Sequence, residues 1–396
     1  MKNILNENLD LKGKKVLLRV DLNVPMKNGA ITETSRIEKI LPTINLLLKK
    51  QAKIIIISHI GRPKGKIVEG MSLKPISDKL SFFLKKEVFF NKGLIDKNTY
   101  LEIDKISNAS IIMLENIRFN KGEESNDREF SKKISNLGDI YINDAFSCSH
   151  RAHASVEGIT KYIPSYFGLQ IAEEIDALKK ITSEIKKPIS LIIGGSKIST
   201  KINIINNLIK KFNNIIIVGG MANAVLKNVG INIGRSICEN QSDHLIKEII
   251  ENSKKNNCEI IIPKDVIVSK SLEGVGKEKN LNEIEEDEMI LDIGSKTINL
   301  IEKIINNSNT VLWNGPAGYF ENPNFQNGTK KILELISKKT ESDKIFSVAG
   351  GGETVAAINK FKKFDSFTFV STAGGAFLEY LEGKTLPAIK ALNQNV

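Results

Sequence analysis

The sequence predicts an α/β protein of two lobes, each a parallel sheet covered on both faces by helices. Three observations predict it. Short β-branched runs alternate with longer stretches of helical period. The strand runs are apolar throughout, as expected of parallel strands buried on both faces. The series pauses at a long charged helix and then restarts, dividing 396 residues into two parts of ordinary domain size.

In order along the chain, residues 16–20 read as a strand. Ile37, Ile40, Leu41, Ile44, Leu47 and Leu48 then fall on one helical face, and residues 54–57 form a second strand, completing a βαβ unit. Strands are expected again at 111–114 and 140–142. A helix over about 171–187, beginning after Leu169, joins the lobes. The second lobe runs through strands at 189–193, 215–218, 260–262, 311–313, 345–348 and 367–370, with helices between them. No repeat of 20–50 residues and no low-complexity tract interrupts this series.

Composition narrows the function. With 41% hydrophobic and 26% charged residues, the chain is neither collagenous nor disordered. Its 57 Lys+Arg against 46 Asp+Glu give a net charge of +11, which suits nucleic acid, anionic lipid or a phosphorylated metabolite. Aromatic residues make up only 6% and the lysines are spread over helix exteriors, so the basic, aromatic-interleaved face of a nucleic-acid binder is missing. Cys148, Cys238 and Cys258 form neither a disulfide framework nor a zinc site, and reduced thiols are expected. The first residues lack the apolar core of a signal peptide, and no apolar run approaches the ~18 residues of a membrane span. The expectation is a cytoplasmic protein without a membrane or nucleic-acid partner.

In open α/β sheets, ligands bind beyond the carboxyl ends of the strands, and here the two halves differ. In the first, the strands are followed by Asp21 and Asn23 in RVDLNVP, His59 and Arg62 in SHIGRP, Arg118 in LENIRF, and the NDAFSCSHRAH segment ending near Arg151. In the second they are followed by glycine: Gly194-Gly195 with Lys197 and Lys201, Gly219-Gly220, Asn314-Gly315-Pro316, Gly350-Gly351-Gly352 and Gly374-Gly375. Arginine is scarce beside lysine in this chain, so Arg36, Arg62, Arg118 and Arg151 mark places where a rigid fork suits phosphate or carboxylate. Glycine before a helix lets backbone amides approach a base or phosphate. His150 and His153 form an HxxH pair, but no catalytic Glu or third ligand accompanies them, so zinc is not expected. No GxxxxGK[ST] and no intact GxGxxG occurs.

Together these motifs resemble phosphoglycerate kinase. The likeness runs in order through RVDLNVP, TSRIEKILPTI, SHIGRP, LENIRF, NDAFSCSHRAHAS, GGSKISTKI, VGGMA, VLWNGPAGYFE, AGGGET, STAGGAFLEYLEG and KTLPAIKAL. The resemblance implies two Rossmann-like lobes with parallel sheets joined by an interdomain helix, and a C-terminal tail returning to the N-terminal lobe. It divides the chain into a phosphoglycerate-binding lobe (1–170), a nucleotide-binding lobe (171–380) and the tail (381–396). It implies a monomer that transfers a phosphoryl group reversibly from 1,3-bisphosphoglycerate to Mg-ADP, giving 3-phosphoglycerate and ATP.

By the same resemblance, Asp21, Asn23, Arg36, His59, Arg62, Arg118 and Arg151 hold the phosphoglycerate, with Arg36 facing the reacting carboxyl. Gly194, Gly195, Gly219 and Gly220 line the adenine slot, and Asn314, Pro316 and Glu321 follow base and ribose. Lys197 and Lys201 reach the phosphates, Gly351, Gly352, Glu353 and Thr354 cover the phosphate chain, and Glu353 lies near Mg²⁺. Arg36, Lys197, Lys201, Gly374 and Gly375 stabilise the transferring group. Three positions depart from the family pattern: Glu353 replaces Asp, Tyr319 a small aliphatic residue, and Ala388 a glycine of the tail.

Overall fold

The computed structural model describes residues 3–4, 9–27 and 29–394. The chain divides into two compact units, one of Met1–Ile175 with Thr385–Val396 and one of Asp176–Lys384. The first division falls inside the helix Leu169–Thr182.

The first unit is built on a wholly parallel six-stranded sheet in the order Val88–Asn91, Ile111–Leu114, Lys53–Ile57, Lys15–Arg19, Ile140–Asn143, Ser165–Phe167. From Lys15–Arg19 the chain first builds outward on one side and later returns to pair Ile140–Asn143 on the other. That reversal opens a crevice at the strand ends, where ligands bind in such sheets. The helix Ser35–Lys49 buries Ile37, Ile40, Ile44 and Leu47 in the core beside this sheet, and so fixes Arg36 in its first turn.

The second unit carries another parallel six-stranded sheet, ordered Glu259–Ile261, Asn214–Ile217, Ile189–Ile193, Thr310–Asn314, Phe346–Gly350, Phe369–Ser371. Its core centres on the fully buried Trp313, stacked on Phe367 with ring centroids 6.0 Å apart. A three-stranded antiparallel sheet, ordered Lys277–Asn280, Asp265–Ser269, Met289–Ile293, completes the unit.

Three features depart from the sequence reading. The antiparallel sheet was not expected, because its strand Lys277–Asn280 reads KEKN and carries no apolar alternation. Lys279 is instead held there between Glu285 at 2.9 Å and Glu288 at 2.8 Å. The edge strands Val88–Asn91 and Ser165–Phe167 are short and only partly apolar, and gave no signal. The helix joining the units ends at Thr182 and not near 187, because Pro188 disfavours helical backbone at Lys187 and a strand begins at Ile189.

Candidate functional site

Parallel strands finish on the same side, so in the first unit four strand ends deliver their following residues to one edge of the sheet. Asp21 Oδ2 meets Arg36 Nη1 at 2.6 Å and also accepts the Ser147 hydroxyl, while Oδ1 accepts the Asn23 amide at 3.0 Å. Arg36 Nη1 also donates to Asn23 O at 3.2 Å. One nitrogen thus anchors the guanidinium to the described residues, and the rest of the fork suits a ligand. Gly61 ties three strand ends together: its amide donates to Asn23 Oδ1 at 3.0 Å, and its carbonyl accepts Arg118 Nη1 at 2.8 Å. Arg62 is exposed and Arg151 half-buried.

Beneath this layer Arg19 is fully buried. It donates from Nε to Ser155 Oγ at 2.9 Å, from Nη1 to Val20 O at 2.5 Å, and from Nη2 to His59 Nδ1 at 3.2 Å. Ser155 in turn donates its hydroxyl (2.6 Å) and its amide (2.9 Å) to the buried Glu123 carboxylate. A guanidinium can only donate, so His59 Nδ1 accepts and the proton of the neutral ring sits on Nε2.

The electrostatics of this edge are uneven. Burial, and then the Arg19 charge, hold the His59 imidazole well below its usual range, with Asp21 pulling the other way. Burial, followed by Arg118, Arg19 and Arg151, holds His153 at about 3. Two imidazoles are kept neutral beside three guanidiniums, the mark of a positive potential. Burial would raise the Asp21 carboxyl, but His59, Arg36, Ser147 and the Asn23 amide outweigh it and hold it at about 2. Asp21, His59 and Cys148 each place a ligand atom within 4.8 Å of the others. A guanidinium already occupies His59 Nδ1, another sits on Asp21, and burial raises the Cys148 thiol, so the cluster favours an anion over a metal ion.

In the second unit the strand-end glycines do two different things. A Cβ on Gly194 would stand 2.3 Å from Pro316 O, and one on Gly315 2.4 Å from Gly194 O, so these loops pack backbone on backbone. Gly194 N donates to Asn314 O at 2.9 Å across the same junction. At Gly352 and Gly374, by contrast, a Cβ would meet nothing within 4 Å. There the space at the start of the helices Gly352–Lys360 and Gly375–Leu381 is open.

A cavity of about 530 Å³ lies beside these loops. Gly195, Gly219, Gly220, Pro316, Glu321 and Glu353 line it. Ile237, Leu272 and Tyr319, all exposed, add an apolar rim. Lys201 Nζ donates to Asn314 Oδ1, and Asn314 Nδ2 donates to Gly350 O at 2.6 Å. Burial lowers the Lys201 pKa, and Glu353 and Glu382 partly restore it. On the cavity wall, burial raises Asp292 to about 7 even though its carboxyl accepts the Gly328 amide at 2.7 Å and the Ile293 amide at 2.9 Å.

Several residues named from the sequence lie under the cavity and not on it. The Asn314 amide is engaged at both ends by the protein, Thr354 Oγ1 accepts the Gly315 amide at 2.7 Å, and Gly351 packs against Asn314, where a Cβ would stand 2.5 Å from Nδ2. Lys197 is exposed. The sequence reading missed Arg19, Glu123 and Ser147, and also the walls given by the antiparallel sheet. A lone arginine inside the apolar run VLLRV was the available signal for Arg19. The tail departure has a structural reason: the Ala388 methyl packs with Ala145, Cys148 and Val156, and its amide donates to Ser149 O at 3.2 Å. No helix among the described residues is long and apolar enough to cross a membrane.

The family model described as "Phosphoglycerate kinase" matches residues 6–384. The chain is 43% identical to the phosphoglycerate kinase of Chelativorans sp. over 392 residues, covering 98% of each chain. It is 45% identical to that of Wolbachia pipientis subsp. Culex pipiens, covering 97% of this chain and 98% of the relative. Among solved structures, the phosphoglycerate kinase of Coxiella burnetii is similar with a TM-score of 0.90 and 40% identity, covering 98% of each chain. That of Pyrococcus horikoshii gives 0.83 and 27%, covering 100% of this chain and 99% of the other. Strand ends that gather arginines in one unit and open amides in the other, and likeness along the whole length, lead to one conclusion: the chain belongs to the phosphoglycerate kinase family, phosphotransferases of glycolysis.

Proposed function

We infer that the phosphorylated three-carbon acid binds at the arginine edge of the first unit and the nucleotide in the cavity of the second, the chain acting as a cytoplasmic monomer. The observation that carries this reading is the cluster of guanidiniums around His59 and His153, imidazoles that burial first, and then Arg19, Arg118 and Arg151, keep neutral. An anion relieves the positive potential of such a cluster. Arg62, Arg118 and Arg151 suit the distal phosphate, and Asp21, Asn23 and His59 the remainder of the acid. His59 then acts as a donor through Nε2–H, its tautomer set by Arg19.

The chemistry follows from charge. A β-phosphate oxygen of ADP attacks the phosphorus of the acyl phosphate. The bond from phosphorus to the carboxyl oxygen breaks, and its electron pair leaves with a carboxylate. No proton has to move, so alignment and neutralisation of the equatorial oxygens are the protein's task. Arg36 supplies charge from the acid side. Lys197, Lys201 and the amides of Gly374 and Gly375 supply it from the nucleotide side. Mg²⁺ fits the second unit: Glu353 is an exposed carboxylate at the cavity, and Mg²⁺ takes one or two carboxylates with substrate phosphates. When bound there, Mg²⁺ would neutralise phosphate oxygens. Because the substrates bind separate units, the units close by a hinge at the helix after Leu169 and at the tail, expelling water that would hydrolyse the acyl phosphate.

The test is ATP- and 3-phosphoglycerate-dependent formation of an acyl phosphate, coupled to a dehydrogenase. Absence of turnover in folded protein with Mg²⁺ overturns the reading. Titrating His153 by NMR tests the acid site separately: 3-phosphoglycerate should move its pKa upward from about 3, and an unmoved pKa would place the acid elsewhere.

A further inference from the structure

The cavity of the second unit contains a polar atom that the fold leaves unsatisfied. Asn223 lies on the helix Gly220–Asn228, is 1% exposed, and lines the cavity. Its Nδ2 donates to Ile237 O at 3.0 Å. A carbonyl oxygen can only accept, so this bond settles which end of the amide is nitrogen and leaves Oδ1 as the remaining atom. Oδ1 is buried and has no hydrogen-bond partner among the described residues. Such an acceptor is destabilising when nothing donates to it, and its place on the wall of a ligand-sized cavity calls for a donor carried by the ligand.

The surroundings specify the donor. Ile237, Val266 and Ile290 line the same cavity, a wall suited to a flat aromatic ring and unsuited to phosphate. Arg235, also on the wall, is engaged with the Asp287 and Lys270 carbonyls. The phosphate-directed groups, Lys201 and the open Gly352 position, do not line this cavity. Glu321 and Glu353 line it too and are exposed carboxylates, able to take hydroxyl donors or metal. The ligand group facing Asn223 is therefore a donor on the base.

We propose that Asn223 Oδ1 accepts a hydrogen bond from the exocyclic amino group of the nucleotide base, so that Asn223 sets the base preference of the phosphoryl acceptor. This rests on the reading that the cavity holds the nucleotide, and the test separates the two. In the full chain, kcat/KM is measured with ADP, with purine riboside 5′-diphosphate, which lacks the amino group, and with 2′-deoxy-ADP. The unaltered protein should favour ADP over the amino-less analogue about tenfold. Asn223→Leu, similar in size and without an acceptor, should use the two alike. Equal use of both by the unaltered protein overturns the proposal, and this comparison stands even if the variant fails to fold. A loss that depends on Asn223 with 2′-deoxy-ADP would assign Oδ1 to the ribose and overturn it too. Ile237→Asp alters a rim position that is 61% exposed. If that variant binds ADP normally, the cavity reading itself has failed. If it weakens every nucleotide while Asn223→Leu still discriminates, only the role of Asn223 has failed.

Discussion

Asp21 and Asp292 follow or end strands in different units, and both carboxyls are largely buried, yet they titrate in opposite directions. Asp21 is held at about 2 and Asp292 is raised to about 7. Burial pushes both upward. Asp21 has the Arg36 guanidinium at 2.6 Å and a hydroxyl donor, whereas Asp292 has only two backbone amides. At Asp21 the His59 ring, the Arg36 charge and two further donors together reverse the effect of burial, whereas two peptide dipoles at Asp292 do not. The same contrast separates the two sites. The first is assembled from charged side chains that fix one another, and the second from backbone whose amides and walls wait for a ligand.

Removing the cation is the strongest way to break this contrast. Arg36→Ala should raise the Asp21 pKa and lower kcat by about 10²–10³-fold, the usual cost of losing one donor to the transferring group. The KM for nucleotide should hardly change, and equal damage to both would show that Arg36 does not act on the acid side. A second variant addresses Asp292. Its folded pKa lies above the ordinary 3.8, so the folded state holds the proton more tightly than the unfolded chain. The contribution of Asp292 to stability is therefore greatest below about pH 4 and falls as pH rises towards 7, with a slope of at most about 1.4 kcal/mol per pH unit. Asp292→Asn should flatten that slope in urea unfolding followed across this range; an unchanged slope would place the proton elsewhere. Asp21 has the opposite sign, adding stability above pH 3.8 that is lost as pH falls through 2.

Smaller effects sharpen the comparison within the backbone-built site. Gly194→Ala pushes a methyl against Pro316 O and should destabilise the protein by about 1–3 kcal/mol, read as a lower Tm. An unmoved Tm would mean that the loops are not packed backbone on backbone. Glu353→Asp should change least of all, keeping activity and its Mg²⁺ dependence, because the carboxylate survives one methylene shorter. A loss as deep as that of Glu353→Gln would remove Glu353 from the metal's surroundings.

The central strands of both sheets were legible in the sequence because burial on two faces writes a mostly apolar, β-branched run, as in Lys53–Ile57 and Ile189–Ile193. Edge strands bury less and write less, which is why Val88–Asn91 went unseen. The site arginines were legible as rare residues at strand ends. What holds them was not: Arg19 and Glu123 pair through Ser155 from positions 136 and 32 residues away, and no spacing rule joins them. Gly194 was visible as a strand-end glycine, but its close packing against another loop's backbone was not. A Cβ there would stand 2.3 Å from Pro316 O. Asn223 gave no signal, because a single asparagine within a helix becomes informative only once one end of its amide is found unpaired.

The last segment of the chain has a consequence for synthesis. Residues 385–396 belong to the first unit, where Ala388 fills a pocket beside the segment that bears Ser147. A ribosome therefore delivers every residue of the second unit before it delivers the final piece of the first. A chain stopped at Lys384 would hold the complete second unit and an acid site lacking its last packing element. Completion of that site thus waits for residues that follow the whole second unit.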